Sequence, residues 1–238
     1  MTILRGTLLA MSAAVTFGSM AIAGPVQDFE KDMRAAYGDY RGALFFTNAN
    51  KPEQAAKAVA DFEQKWDALA ADYAAAPPHY ADDPAYKETL AKVSEIAKTA
   101  AGEVADGKLP AAHETLEAIR DQIGGLHMRN GVISFSDRMN AYHAEMEHVL
   151  GRDYGNLDAV GMAALVGDAA VLHYLAMQIA DHPPADATDN PAFEAAMKPF
   201  MASVEALQTA VQSGDAAAAK KAIGGLKPPY SKLFLQFG

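Results

Sequence analysis

The segment Asp82-Asp83-Pro84-Ala85-Tyr86 returns as Asp189-Asn190-Pro191-Ala192-Phe193, a shift of 107 residues (82 to 189). Gly107, Ala111, Ala112 and Leu126 return at the same shift as Gly214, Ala218, Ala219 and Leu233. Upstream, Phe29, Met33, Tyr37, Tyr40 and Leu44 return as Phe135, Met139, His143, Met146 and Leu150, a shift of 106 (29 to 135), and Pro77-Pro78 returns as Pro183-Pro184 at that shift. The one-residue slip is expected in the loop between the proline pair and Asp82, where an insertion is tolerated. Two copies of this period fill the chain from residue 24 onward. Solenoids need about three repeats or more, so tandem domains are expected, 24–131 and 132–238.

Each copy reads as four helices. The stripe at 29, 33, 37, 40 and 44 steps by four, four, three and four, one face of a helix. Residues 51–76 carry Val59, Phe62, Trp66 and Leu69 on one side, and Pro77-Pro78 should end that helix. Asp83-Pro84 reads as an N-cap and first-turn proline opening a third helix with Leu90, Val93, Ile96 and Ala97. Gly107 closes it, and a fourth carries Leu116, Ile119, Ile123 and Leu126. The second copy follows at 132–150, 157–182, 191–212 and 215–237, with a kink or restart expected at Pro228-Pro229. Asn130-Gly131 leaves room for only a brief break between the copies. No run of alternating β-branched residues argues for a sheet. Short connections make neighbours antiparallel, so the expected fold is all-α: two tandem up-down-up-down four-helix bundles.

The composition excludes several functions. With no Cys there are no disulfides, Cys-ligated zinc, iron–sulfur clusters, covalent haem attachment or Cys nucleophile. A net charge of -10 argues against a basic nucleic-acid surface. Arg5, the apolar stretch 7–22 and Ala21-Ile22-Ala23 read as a secretory signal peptide over 1–23. A soluble periplasmic protein is therefore expected, with no later segment apolar enough to span a membrane.

The first copy resembles a known family in Asp28-Phe29-Glu30-Lys31-Asp32-Met33, in Pro77-Pro78 and in Gly107-Lys108-Leu109. Over roughly residues 28–129 it is similar to the soluble periplasmic cytochromes b, four-helix bundles holding non-covalent haem b between a Met of the first helix and a His of the fourth. The resemblance implies haem b, with Met33 and His127 as axial ligands; the family's aromatic neighbour before the His is Leu126 here. Two strong axial ligands leave no open coordination position, which suits electron transfer with a redox partner protein rather than an enzyme's turnover. The competing expectation makes Met33 a core residue and His127 a helix-end histidine.

The second copy has Phe234 at the position of His127 but gains His143 where the first has Tyr37, and Met146 where the first has Tyr40. At the 106 shift His173 stands at the position of Asp67, four residues before Met177. Met139, His143, Met146 and His173 are therefore a candidate copper or iron site, since thioether and imidazole suit these ions. Core packing by the methionines is the alternative. His113 and Glu117 form a weaker i,i+4 pair, and Glu145-x-x-His148 a lone Glu-x-x-His where a di-iron bundle needs a second. No GxSxG, HExxH, P-loop or GxGxxG is present. A third reading is a cofactor-free, partner-binding helical module.

Overall fold

The apolar stripes become buried helix faces in a computed structural model that describes residues 24–155 and 157–238. The leader expected at 1–23 lies outside the described residues. Helix α1 (Pro25–Asn48) buries Phe29, Met33, Tyr37, Tyr40 and Leu44, and α2 (Pro52–Asp72) buries Val59, Phe62, Trp66 and Leu69. Helices α3 (Tyr86–Ala105) and α4 (Leu109–Arg129) follow. α1 and α3 each pack against both α2 and α4, so the four close a ring of contacts. Trp66, Tyr40, Phe62, Leu116 and Ile119 fill its centre. The Trp66 indole N–H donates to the Leu90 carbonyl at 3.0 Å, meeting the one polar need of that side chain.

The second half comprises α5 (Phe135–Gly151), α6 (Ala159–Asp181), α7 (Pro191–Ser213), α8 (Ala216–Gly225) and α9 (Lys227–Phe237). α6 packs against α5 and α7, and α7 against α8 and α9. No strand occurs among the described residues; the protein is all-helical. α1 also packs against α9, and the buried residues of both halves form one continuous apolar cluster. Arg34 donates to the Phe237 carbonyl at 3.0 Å, and the buried Arg41 donates to the Gly238 carbonyl.

The repeat is written in the backbone. Tyr80 N–H donates to Pro77 O as Ala187 N–H does to Pro184 O; Lys108 N–H donates to Glu103 O as Asp215 N–H does to Ala210 O. These pairs stand 107 residues apart, so that register already holds at Pro77 and Pro184, upstream of the loop expected to carry the slip. Burial moves α2 against α6 further. Phe62, Trp66 and Leu69 match Leu172, Ala176 and Ile179, a shift of 110 (62 to 172). The longer α5–α6 connection supplies the extra residues, 152–158 against 49–51. His173 thereby takes the position of Glu63 rather than Asp67.

Two helix ends differ from expectation. α2 stops at Asp72, ahead of the proline pair. α3 starts at Tyr86, and Asp83 accepts instead from the Ala85 N–H at 2.9 Å in a local turn. Its counterpart Asn190 does cap its helix, with Pro191 in the first turn. The last expected helix is broken at Leu226 into α8 and α9, just before Pro228-Pro229, whose missing N–H groups suit the start of a helix and not its interior. α6 corrects the reading of membrane spans: it has 23 residues and an 18-residue window of mean hydropathy 1.6, long and apolar enough to cross one. Its Leu165, Leu172 and Ile179 are buried, while Val160, Val166, Val171 and Tyr174 are exposed.

Candidate functional site

His127 stands where the two halves meet. α4 carries it into the interior, and its side chain is 4% exposed. Nδ1 lies 2.8 Å from Asp137 Oδ2, on the first turn of α5. The same carboxylate oxygen accepts from the Ser134 N–H and Oγ, both at 2.7 Å, in a capping box that fixes where α5 begins. An ionised carboxylate only accepts, so Nδ1 is the nitrogen that donates to Asp137, and Nε2 is the ring nitrogen left for another partner. Nε2 is buried, has no hydrogen-bond partner among the described residues, and stands 3.8 Å from Glu30 Oε2. The other oxygen, Glu30 Oε1, accepts from Tyr80 OH at 2.8 Å and faces His79 Nε2 at 2.9 Å. Burial, then the charge of Glu30, push the Tyr80 phenol upward, so it stays protonated and donating.

Met33 shares this place. It lines, with Glu30, Tyr37, Ile123 and His127, a cavity of ≈280 Å³ covered by Phe135 and Pro184 of the second half. The two residues expected as a ligand pair therefore face one cavity from α1 and α4. The volume suits an ion and its ligands; it sits at the small end of organic-ligand sites, about 300 Å³, and a porphyrin is larger. Phe29, Tyr80 and Tyr86, packed ring on ring, fill this end of the first half. A haem between Met33 and His127 needs more room than this cavity gives.

The four second-half candidates differ in burial. Met139 and Met146 are fully buried in the core, His173 is half-buried on α6, and only His143 lines a described cavity. A different group forms there: Glu145, His148 and Asp168 bring ligand atoms within 4.8 Å of one another and could hold a metal ion. Asp168, supplied by α6, also accepts from Arg152 at 2.9 Å and Tyr154 OH at 2.6 Å, so an ion there competes with a cation already in place.

His143 faces a larger cleft of ≈1070 Å³ between the halves, together with His113, Arg120, Asn140, Tyr230 and His127. Burial first, then the charge of Arg120, push the His143 imidazole down to about 4, so it is neutral at neutral pH. His113 Nδ1 is 3.1 Å from both Thr47 Oγ1 and the Leu44 carbonyl, and Nε2 is 3.7 Å from Glu117.

Sequence reading passed over Glu30, Asp137, Arg120 and Asn140. Ser134-x-x-Asp137 was legible as a capping box, and Glu30 lies one turn ahead of Met33. The meeting of α4 with α5 that unites them has no local signature. No family model, no curated protein and no solved structure matches the chain.

Proposed function

We propose that this is an exported periplasmic protein of two tandem four-helix bundles, descended from one duplicated unit, that binds a transition-metal ion, copper above all, where the bundles meet. The observation that carries it is the His127 imidazole, tied through Nδ1 to Asp137 with Nε2 buried, unpartnered and facing Glu30. Carboxylate-anchored imidazole is the usual outer support of a metal-binding His. With metal bonds of about 2.0–2.2 Å, atoms 3.8 Å apart subtend about 120–140° at one ion, the opening of a three-coordinate site. Imidazole, carboxylate and the Met33 thioether make a donor set that favours copper over harder ions. The role is binding and carriage, not turnover of a substrate.

Metal-stripped protein titrated with Cu(I) against a chromophoric chelator tests this. One tight equivalent is expected, lost in His127→Ala and weakened in Glu30→Gln. Met33→Leu should weaken Cu(I) far more than Zn(II). Asp137→Asn should cost about 10–100-fold in affinity. Affinity untouched by all four changes overturns the reading.

The haem reading keeps one favourable observation: Met33 and His127 face the same cavity. Resemblance to the cytochromes b, with electron transfer to a redox partner, then rests on haemin giving a saturating low-spin spectrum that His127→Ala abolishes. Because haem needs more room than the cavity gives, that spectrum should come with an increase in hydrodynamic radius, which copper should not cause.

A further inference from the structure

The larger cleft adjoins the smaller cavity of the copper reading and shares His127, Val132 and Ile133 with it, but it also has a polar group of its own. Three residues that line it, Arg120, Asn140 and His143, each carry a buried polar atom with no partner among the described residues: Nε, Oδ1 and Nδ1. Buried polar groups in native proteins are nearly all paired, so three together at one wall point to something that meets them. Their needs are defined. Asn140 Nδ2 donates to Tyr37 OH at 2.9 Å, which leaves Oδ1 as an acceptor awaiting a donor. Arg120 Nε can only donate. Glu117, 44% exposed, stands 3.9 Å from Arg120 Nη1 and does not satisfy Nε.

Part of the remaining wall is a stack of rings. The His143 ring lies 5.4 Å from Tyr230 at 24°, and Phe234 continues the stack at 5.8 Å and 18°. At the rim Phe45, Met128 and Ile133 are 40%, 78% and 66% exposed, a run of apolar surface leading inward. At ≈1070 Å³ the space matches the upper end of small-molecule sites, about 1,000 Å³. Charge limits the head group. Glu147 is neutralised by Lys227 at 2.8 Å and Asp137 is held by His127, but Glu117 and Asp121 also line the cleft. These carboxylates repel a multiply charged anion more strongly than a single negative charge on a long apolar body.

We propose that this cleft binds an amphipathic carboxylate, whose head accepts from Arg120 Nε beside Asn140 and His143 and whose apolar body lies along Tyr230, Phe234 and the rim. The arrangement recognises a monocarboxylic acid with an alkyl or aryl body, and a hydroxyl or N–H near the carboxylate would also serve Asn140.

The test uses the purified protein with two probes of one skeleton: 8-anilinonaphthalene-1-sulfonate, which carries an anionic head, and N-phenyl-1-naphthylamine, which lacks it. Decanoate is the competitor. One saturable equivalent of the sulfonate is expected, displaced by decanoate. Arg120→Gln should weaken sulfonate and decanoate about tenfold or more, the size of one lost charged hydrogen bond, and leave the uncharged probe unchanged. Ile133→Ser, at an exposed rim position, should weaken all three, and it carries the test if Arg120→Gln fails to fold. Sulfonate binding indifferent to Arg120→Gln, or not displaced by decanoate, overturns the proposal: the cleft is then a non-specific apolar surface. Absence of binding overturns it as well, with water filling the cleft.

Discussion

Trp66 on α2 and Ala176 on α6 stand at equivalent places, and both are fully buried. The second half recovers the missing volume elsewhere. Tyr142 stands where the first half has Ala36, and Phe200 where it has Val93, and their rings meet at 4.9 Å and 71°. The first half has a large ring on its second helix where the second half has alanine; the second half has rings on its first and third helices where the first half has Ala36 and Val93. A helical core constrains total volume and pattern more tightly than the place of any one side chain. Two halves of similar backbone can therefore place large and small residues on different helices.

The largest expected effect tests this exchange. Trp66→Ala should cost about 3–5 kcal/mol in chemical unfolding, from the lost packing and the cavity, and it also leaves the Leu90 carbonyl without its donor. Phe200→Ala should cost a comparable amount from the other half. Adding Val93→Phe to Trp66→Ala copies the second half's solution into the first, and it should recover part of the loss. A double variant no more stable than Trp66→Ala breaks the comparison, because the two cores would then not be interchangeable by volume.

The next difference is chemical. Tyr37 and His143 occupy equivalent positions, but Tyr37 OH accepts from Asn140 while His143 Nδ1 meets no partner. Folding takes His143 from its ordinary 6.5 down to about 4, so between these values the unfolded chain binds the proton and the folded one does not. Stability therefore falls as pH falls through that window, by up to about 1.4 kcal/mol per pH unit. The Arg120 and Lys227 charges and the nearby His113 act in the same sense, and Glu147 opposes them. His143→Phe should flatten this part of the profile. An unchanged slope assigns the acid sensitivity to other groups.

Legibility followed the range of the interactions. α1, with its stripe from Phe29 to Leu44, was readable because burial at three- and four-residue spacing is local. The break before Pro228-Pro229 was readable because two adjacent prolines remove two backbone donors and are disfavoured in a helix interior. α6 was placed in sequence but not in register, because its shift depends on the length of the 152–158 connection, which carries no periodic signal. Its apolar length went unremarked because Asp168 and His173 interrupt the run. At the candidate site, Met33 and His127 were found by motif, but Glu30 and Asp137 join them through the approach of α1 and α5 to α4, a tertiary fact. The candidate set Met139, His143, Met146 and His173 shows what spacing alone leaves out. Positions three, four or seven apart share a face only broadly, and here the methionines turn into the core while His143 turns toward α9.

The smallest effect sharpens the comparison at the turns that most closely repeat. Asp83 and Asn190 each accept from a backbone N–H two residues on. Only Asp83 is also held by the far end of its own half, accepting from Asn130 at 2.8 Å and Arg129 at 3.1 Å. Burial opposes its charge, but these donors and the Ala85 N–H outweigh it and hold the carboxyl below its ordinary value. Its stabilisation is therefore complete at neutral pH and is lost as pH falls through that depressed value. Asn190→Ala removes a local cap and should cost about 1 kcal/mol. Asp83→Ala removes the turn and the tie to the end of α4, and should cost about 2 kcal/mol or more, since hydrogen bonds to a charged group are the stronger kind. Asp83→Asn should fall between them, because the amide keeps the turn but loses the charge that Arg129 meets. Equal losses at the two positions would mean that the tie to Arg129 and Asn130 adds nothing, and that α4 and α9 end their halves with the same security despite the break before α9.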